Sequence, residues 1–185
     1  TKFRLMDFID KCEERGQAEK LQNYINQHQP IVFVSPYEHH SNEVMWRHTL
    51  CEVVETPLNA AGYLDLKALK KLLSDEKYKD RDKIGSFSAA SNVTGIKTPV
   101  YEVARLLHQH DAIACFDFAA CAPYQEIDMN KDDMSYFDAI FLSPHKFLGG
   151  PGSSGLLIFN DKIYHKELPP TVSAGGTVMF VNFKK

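Results

Sequence analysis

Short apolar runs recur along the chain, each followed by a cluster of polar residues, with amphipathic stretches lying between them. The run Ile31-Val32-Phe33-Val34 and the segments 51–55, 84–90, 112–116, 137–142 and 154–159 are brief and rich in β-branched or aromatic residues. They read as strands. Apolar positions at helical spacing predict helices over 3–12, fading near Gly16, and over 18–25. Further helices are predicted over 64–73, with Leu66, Leu69, Leu72 and Leu73 inward, and over 98–107, with Val100, Val103, Leu106 and Leu107 inward. Thr98 and Pro99 form a cap and first-turn signal for that last helix, and His108 and His110 at its end complement its dipole. The segments 35–42 and 74–83 read as a polar loop and a charge-dense solvated loop.

Strands alternating with helices predict an α/β domain, three-layered, with a mostly parallel sheet. The connection between 137–142 and 154–159 is too short for a crossover, so the final strand is expected to be antiparallel. No repeat, low-complexity tract or linker divides the chain, and residues 1–185 are expected to form a single domain.

The pattern has a second regularity. Polar clusters at 38–42, 91–95, 117–121 and 143–146 each follow a strand-like run. Ligands in open parallel sheets bind outside the carboxyl ends of the strands. The four clusters are therefore expected to meet in one crevice. Composition narrows what that crevice serves. With 21 Lys+Arg against 24 Asp+Glu, the net charge of -3 offers no basic footprint for nucleic acid and no polybasic run for a membrane. No apolar run reaches membrane-spanning length, and the amino terminus lacks a secretory layout. Cys12, Cys51, Cys115 and Cys121 form no CxxC pair and read as reduced thiols, which fits a cytoplasmic or organelle-matrix setting. Their spacing to His39 and His40 does not support a zinc site.

The chemistry centres on Ser143-Pro144-His145-Lys146, which opens a glycine-rich loop. A lysine at a strand exit beside a hydroxyl and an imidazole suits an amine that loses its proton and forms a Schiff base with a carbonyl. With Asp117 to pair with a pyridine nitrogen and His39 to stack on a ring, these groups form the set that holds pyridoxal phosphate. Ser143 and His145 are candidate phosphate donors, and Thr177, in Gly175-Gly176-Thr177, is another. Each has a plainer role: a loop lysine in solvent, an aspartate capping a helix, a hydrogen-bonded loop histidine.

The segments Glu38-His39-His40-Ser41-Asn42, Ser91-Asn92-Val93-Thr94-Gly95, Asp117-Phe118-Ala119-Ala120 and Ser143-Pro144-His145-Lys146 occur in an order that resembles the class V aminotransferases. Within these fold-type I enzymes the chain is similar to the cysteine desulfurase and selenocysteine lyase branch, from about residue 31 to 181. The resemblance implies pyridoxal phosphate on Lys146, with Asp117 at the ring nitrogen and His39 stacked on the ring. Ser143 and His145 would then hold the phosphate, and Asn92 would lie near the substrate carboxylate or the ring substituents. It further implies an amino-acid substrate and a homodimer, with Thr177 reaching the phosphate of the neighbouring subunit. Ala120 stands where the family commonly places a glutamine that hydrogen-bonds the ring oxygen, and no cysteine here stands at the position of the family's nucleophile. The resemblance implies an incomplete large domain, without the family's glycine–threonine phosphate loop or its carboxy-terminal domain. Two alternatives stay open: another class V aminotransferase or lyase, and a catalytically incomplete cofactor-binding or scaffold domain.

Overall fold

The computed structural model describes residues 15–168 together with 5, 9 and 11. A six-stranded sheet forms the middle layer, in the order β2-β1-β3-β4-β5-β6. Its strands are β1 (Ile31–Val34), β2 (Glu52–Glu55), β3 (Lys83–Ser88), β4 (Ala112–Asp117), β5 (Ala139–Leu142) and β6 (Leu156–Phe159). Neighbours from β2 to β5 pair parallel, and β6 runs antiparallel to β5. The expected fold class, α/β with one antiparallel strand, is what the chain adopts.

Among the described residues four α-helices accompany the sheet: α1 (Arg15–His28), α2 (His40–Arg47), α3 (Leu66–Leu73) and α4 (Val100–His108). Helix α3 follows its sequence signal closely. Asp65 caps it by accepting from the amides of Lys67 and Ala68, and Leu69 and Leu73 are buried. Helix α1 is longer than the 18–25 expected, running through Gly16, and the segment 3–12 lies largely outside the described residues. Helix α2 was not anticipated, since its residues HSNEVMWR lack an apolar face strong enough to signal it.

Two local readings are corrected. Thr98 does not cap α4; its hydroxyl donates to the carbonyl of Ser88 at 2.6 Å, tying the helix entry to the end of β3. The segment 74–83 is not wholly solvated: Tyr78, Arg81 and Lys83 are buried. Arg81 donates to Glu52 and to the Gln29 carbonyl, both at 2.8 Å, so a buried charge is paired rather than stranded. Burial pushes the Glu52 carboxyl up, but the bonds from Lys77 and Arg81 outweigh it and hold it below the ordinary carboxylate range.

The main core lies between the sheet, α3 and α4, around Phe33, Phe87, Phe116, Phe118, Phe137, Leu69 and Leu107. Each such side chain contributes about 1.5–3 kcal/mol on burial. Gly85 admits α4 to the sheet, because a Cβ there would meet Leu107 Cδ1 at 2.4 Å. The chain runs from β1 outward to β2, then crosses back to β3 on the other side of β1. That reversal puts a topological switch point between β1 and β3, where the carboxyl ends open a crevice.

Candidate active site

The strand exits do converge. One cavity of about 300 Å³ is lined by His39 and Ser41 after β1, and by Ser88, Ala90 and Asn92 at and after β3. Asp117, Ala119 and Ala120 enter it from β4, and Ser143, His145 and Lys146 from β5. All four polar clusters contribute to it. A cavity of this size suits a single small ring compound. A larger, more open groove of about 780 Å³ runs past Tyr63, Asp65, Lys97 and Pro99. Its one carboxylate, Asp65, is committed to capping α3. The smaller cavity, where amine, carboxylate and imidazole face one space, is the candidate site.

Each wall follows from its local sequence. His39 is the N-cap of α2, with extended backbone at φ -62° and ψ 140°. The Ser41 amide donates to His39 Nδ1 at 3.3 Å, and the Ser41 hydroxyl lies 2.8 Å from the same atom. A backbone amide only donates, so Nδ1 accepts and the proton of the neutral ring sits on Nε2. Its ring also packs on that of His40, with centroids 4.1 Å apart.

Asp117 is the last residue of β4, and its Oδ1 accepts from the Ala119 amide at 2.8 Å. Lys146 closes a single 3-10 turn, Pro144–Lys146, its amide donating to the Ser143 carbonyl at 2.9 Å. The glycines behind it are structural: Gly149 has φ 77°, and a Cβ on Gly150 would meet the Pro144 carbonyl oxygen at 2.0 Å. Lys146, His145 and Asn92 are exposed, whereas His39, Asp117 and Ser143 are half-buried. Among the described residues, no hydrogen bond or ion pair engages the side chains of Lys146, His145, Ser143 or Asn92.

The site therefore gathers His39, Asn92, Asp117, Ala120, Ser143, His145 and Lys146, while Thr177 lies outside the described residues. Ser41 and Ser88 were missed as lining residues. Ser41 stands inside the quoted Glu-His-His-Ser-Asn motif, but Ser88 looks like any strand residue and had no signal of its own. Cys121, also expected near the crevice, is buried, as are Cys51 and Cys115. Burial pushes the Cys121 thiol up, and burial with the charge of Asp138 pushes Cys115 up to about 12. Among the described residues no group of three His, Cys, Asp or Glu is placed to hold a metal ion. No described helix is long and apolar enough to cross a membrane.

Comparison with known proteins meets this geometry. The chain is 30% identical over 154 residues to a probable cysteine desulfurase of Halalkalibacterium halodurans, covering 81% of this chain and 36% of that protein. It is 29% identical over 159 residues to a cysteine desulfurase of Shigella sonnei, covering 83% of this chain and 36% of the relative. It thus spans little more than a third of the length of these curated relatives. Among solved structures, the cysteine desulfurase CsdA of Escherichia coli superposes with a TM-score of 0.70 at 28% identity, over 85% of this chain and 38% of that one. The NifS-like protein of Rickettsia africae shares the fold at a TM-score of 0.64 and 21% identity. Residues 18–185 match the sequence model described as Aminotransferase class-V, and the chain belongs to that family.

Proposed function

We propose that this chain is the cofactor-binding part of a pyridoxal phosphate-dependent enzyme acting on an amino acid, of the cysteine desulfurase kind. The observation that carries this reading is the meeting of a lysine amine, a carboxylate and an imidazole around one 300 Å³ cavity at the switch point. The donor set fits the group: Lys146 to hold it covalently, Asp117 with one oxygen uncommitted among the described residues, and the Ser143 hydroxyl and His145 imidazole for its anionic end. When bound, pyridoxal phosphate supplies an electron sink for the α-carbon of an amino acid.

The side chains divide the remaining work. Lys146 Nζ would hold the group covalently, and as a free amine it would move a proton at the substrate α-carbon. Asp117 Oδ2 would keep a proton on the ring nitrogen. His39 would lie against the ring and exclude water from it. Ser143 Oγ and His145 donate to the phosphate, and Asn92 faces the substrate. Thr177 is assigned to the phosphate of a partner subunit. Exposed apolar side chains stand on loops that frame the cavity, Val93 at 85% and Leu148 at 106% exposure, and they support the reading of a homodimer. We read residues 1–185 as one piece of the cofactor-binding large domain, working in the cytoplasm or an organelle matrix.

The test is borohydride reduction of the complete protein loaded with pyridoxal phosphate, followed by peptide mapping. The label is expected on the peptide carrying Lys146. A label on another lysine, or none, overturns the reading.

Ala120 favours a second reading, an aminotransferase or lyase acting on another amino acid. Alanine offers no side-chain hydrogen bond to the ring. Alanine release from cysteine by the complete protein separates the two readings. Turnover of a different amino acid without alanine release selects the second.

A further inference from the structure

We propose that Glu38 is the positioning residue of this site, acting through His39, which it holds over the cavity without entering it. The inference rests on the cofactor reading above, and it concerns a residue to which that reading gives no task.

The Glu38 carboxylate is a node. Its Oε1 accepts from the Ser35 hydroxyl at 2.6 Å, the Ser35 amide at 3.3 Å and the Ser88 amide at 3.0 Å. Its Oε2 accepts from Asn42 Nδ2 at 2.6 Å and the Ser88 hydroxyl at 2.8 Å. These five donors are all neutral, and they come from the exit of β1, from α2 and from the last residue of β3. Asn42 carries the connection further, accepting from the Ser86 hydroxyl at 2.8 Å. Ser35, Asn42, Ser86 and Ser88 are all buried.

His39 lies between two anchored residues. Glu38, just before it, is fastened to β3, and Asn42, three residues later, is fastened to both Glu38 and β3. The His39 carbonyl accepts from the Asn42 amide at 2.8 Å, closing the first turn of α2 on the ring-bearing residue. The network therefore bridges the two strands that flank the switch point and fixes the wall on which the imidazole sits. Side chains that present a catalytic group need such support, because a misplacement of about 1 Å is costly in rate.

Neighbouring chemistry makes the node sensitive to small changes. Glu38→Asp keeps the charge but shortens the reach to Ser88. Glu38→Gln keeps the reach, but its NH2 meets donors where an oxygen had accepted. Glu38→Ala leaves five donors without their acceptor.

The experiment uses the complete protein and pyridoxal phosphate as probe. Cofactor affinity and visible absorption are measured for Glu38→Gln, Glu38→Asp, His39→Ala and the two double variants, and melting temperatures are measured without cofactor. We expect Glu38→Asp and Glu38→Gln to bind about tenfold more weakly, the equivalent of one charge-assisted hydrogen bond. The position of the absorption band should shift with them. Adding either to His39→Ala should cost no further affinity, because a residue that acts through His39 has nothing left to position. Additive losses, unchanged affinity, or lower melting temperatures with normal binding would each make Glu38 a structural residue and overturn the proposal. Absence of a band in the unmutated protein would sink the cofactor reading itself, and this proposal with it. A band that forms normally but ignores Glu38 sinks only the proposal.

Discussion

Asp117 ends β4 and Asp138 precedes β5, two hydrogen-bonded neighbours, yet the carboxylates sit at opposite ends of that ladder in opposite surroundings. Asp138 is 1% exposed and its charge is matched on the spot. Its Oδ2 accepts from His108 Nε2 at 2.9 Å and from the Ala114 amide at 2.8 Å, while Lys162 Nζ lies 2.7 Å from Oδ1 as an ion pair. Lys162 also donates to the Tyr136 hydroxyl at 2.6 Å, and the His108 ring stacks on Tyr136. Asp117 is half-buried, spends one oxygen on a local turn and shares its cavity with Lys146 and His39. The difference separates two uses of a charge. A carboxylate closed off by its own protein's donors fastens elements together; one left open at the strand exits, beside an amine and an imidazole, is available to a ligand.

The largest effect should come from the open side. In the complete protein, Lys146→Ala is expected to lower turnover on the order of 10⁴-fold and to abolish covalent capture of the cofactor, without moving the cofactor-free melting temperature. A loss of stability there would break the comparison, because it would make Lys146 a fastening residue too.

Asp138→Ala should do the reverse, costing about 3 kcal/mol in chemical denaturation by leaving His108, Lys162 and a buried amide without their acceptor. Its cofactor affinity should stay as it was. A cost below about 0.5 kcal/mol, the range of ordinary surface changes, would remove Asp138 from the fastening class.

Asp117→Asn keeps an acceptor for the Ala119 amide, so stability should hold while turnover falls about 10²-fold. Stopped-flow rates set beside melting curves check both halves, and an unchanged rate would remove the assigned role at the ring nitrogen.

The smallest test is pH. Burial pushes the Asp138 carboxyl up, but the bonds from His108, Ala114 and Lys162 outweigh it and leave it below its ordinary value of 3.8. A depressed carboxylate adds stability above its unfolded value, and that stability is lost as pH falls through the folded one. Denaturation midpoints should therefore drop below about pH 4 in the parent protein and fall less steeply in Asp138→Asn. Equal slopes would show that Asp138 does not report the acid transition.

Much of this was legible in the chain. The strands at 31–34, 112–117 and 139–142 were marked by short apolar runs, and the antiparallel β6 by the brief loop before it. The polar clusters after the strands pointed to the crevice. What failed was context. Helix α2 was hidden because its cap is a histidine and its apolar face is thin. Thr98 matched a capping pattern but found a closer acceptor in the Ser88 carbonyl. His108 does stand in the last turn of α4, but nothing in the sequence showed that Nε2 bonds Asp138 while Nδ1 lies 2.8 Å from the Met134 carbonyl. Arg81 stood in a charge-rich segment whose burial depended on Glu52, 29 residues away.

Sequence alone determined the alternation of strand and helix, because apolar spacing is local and each element must bury one face. It also determined which residue types stand at the strand exits. Only the tertiary structure decided which of those exits share a cavity, that Glu38 spends its carboxylate on β1, α2 and β3 while one Asp117 oxygen has no partner among the described residues, and that Asp138 is closed off by His108 and Lys162. Those outcomes hang on pairings between residues tens of positions apart. Strand order and register set such pairings, and no local pattern encodes them.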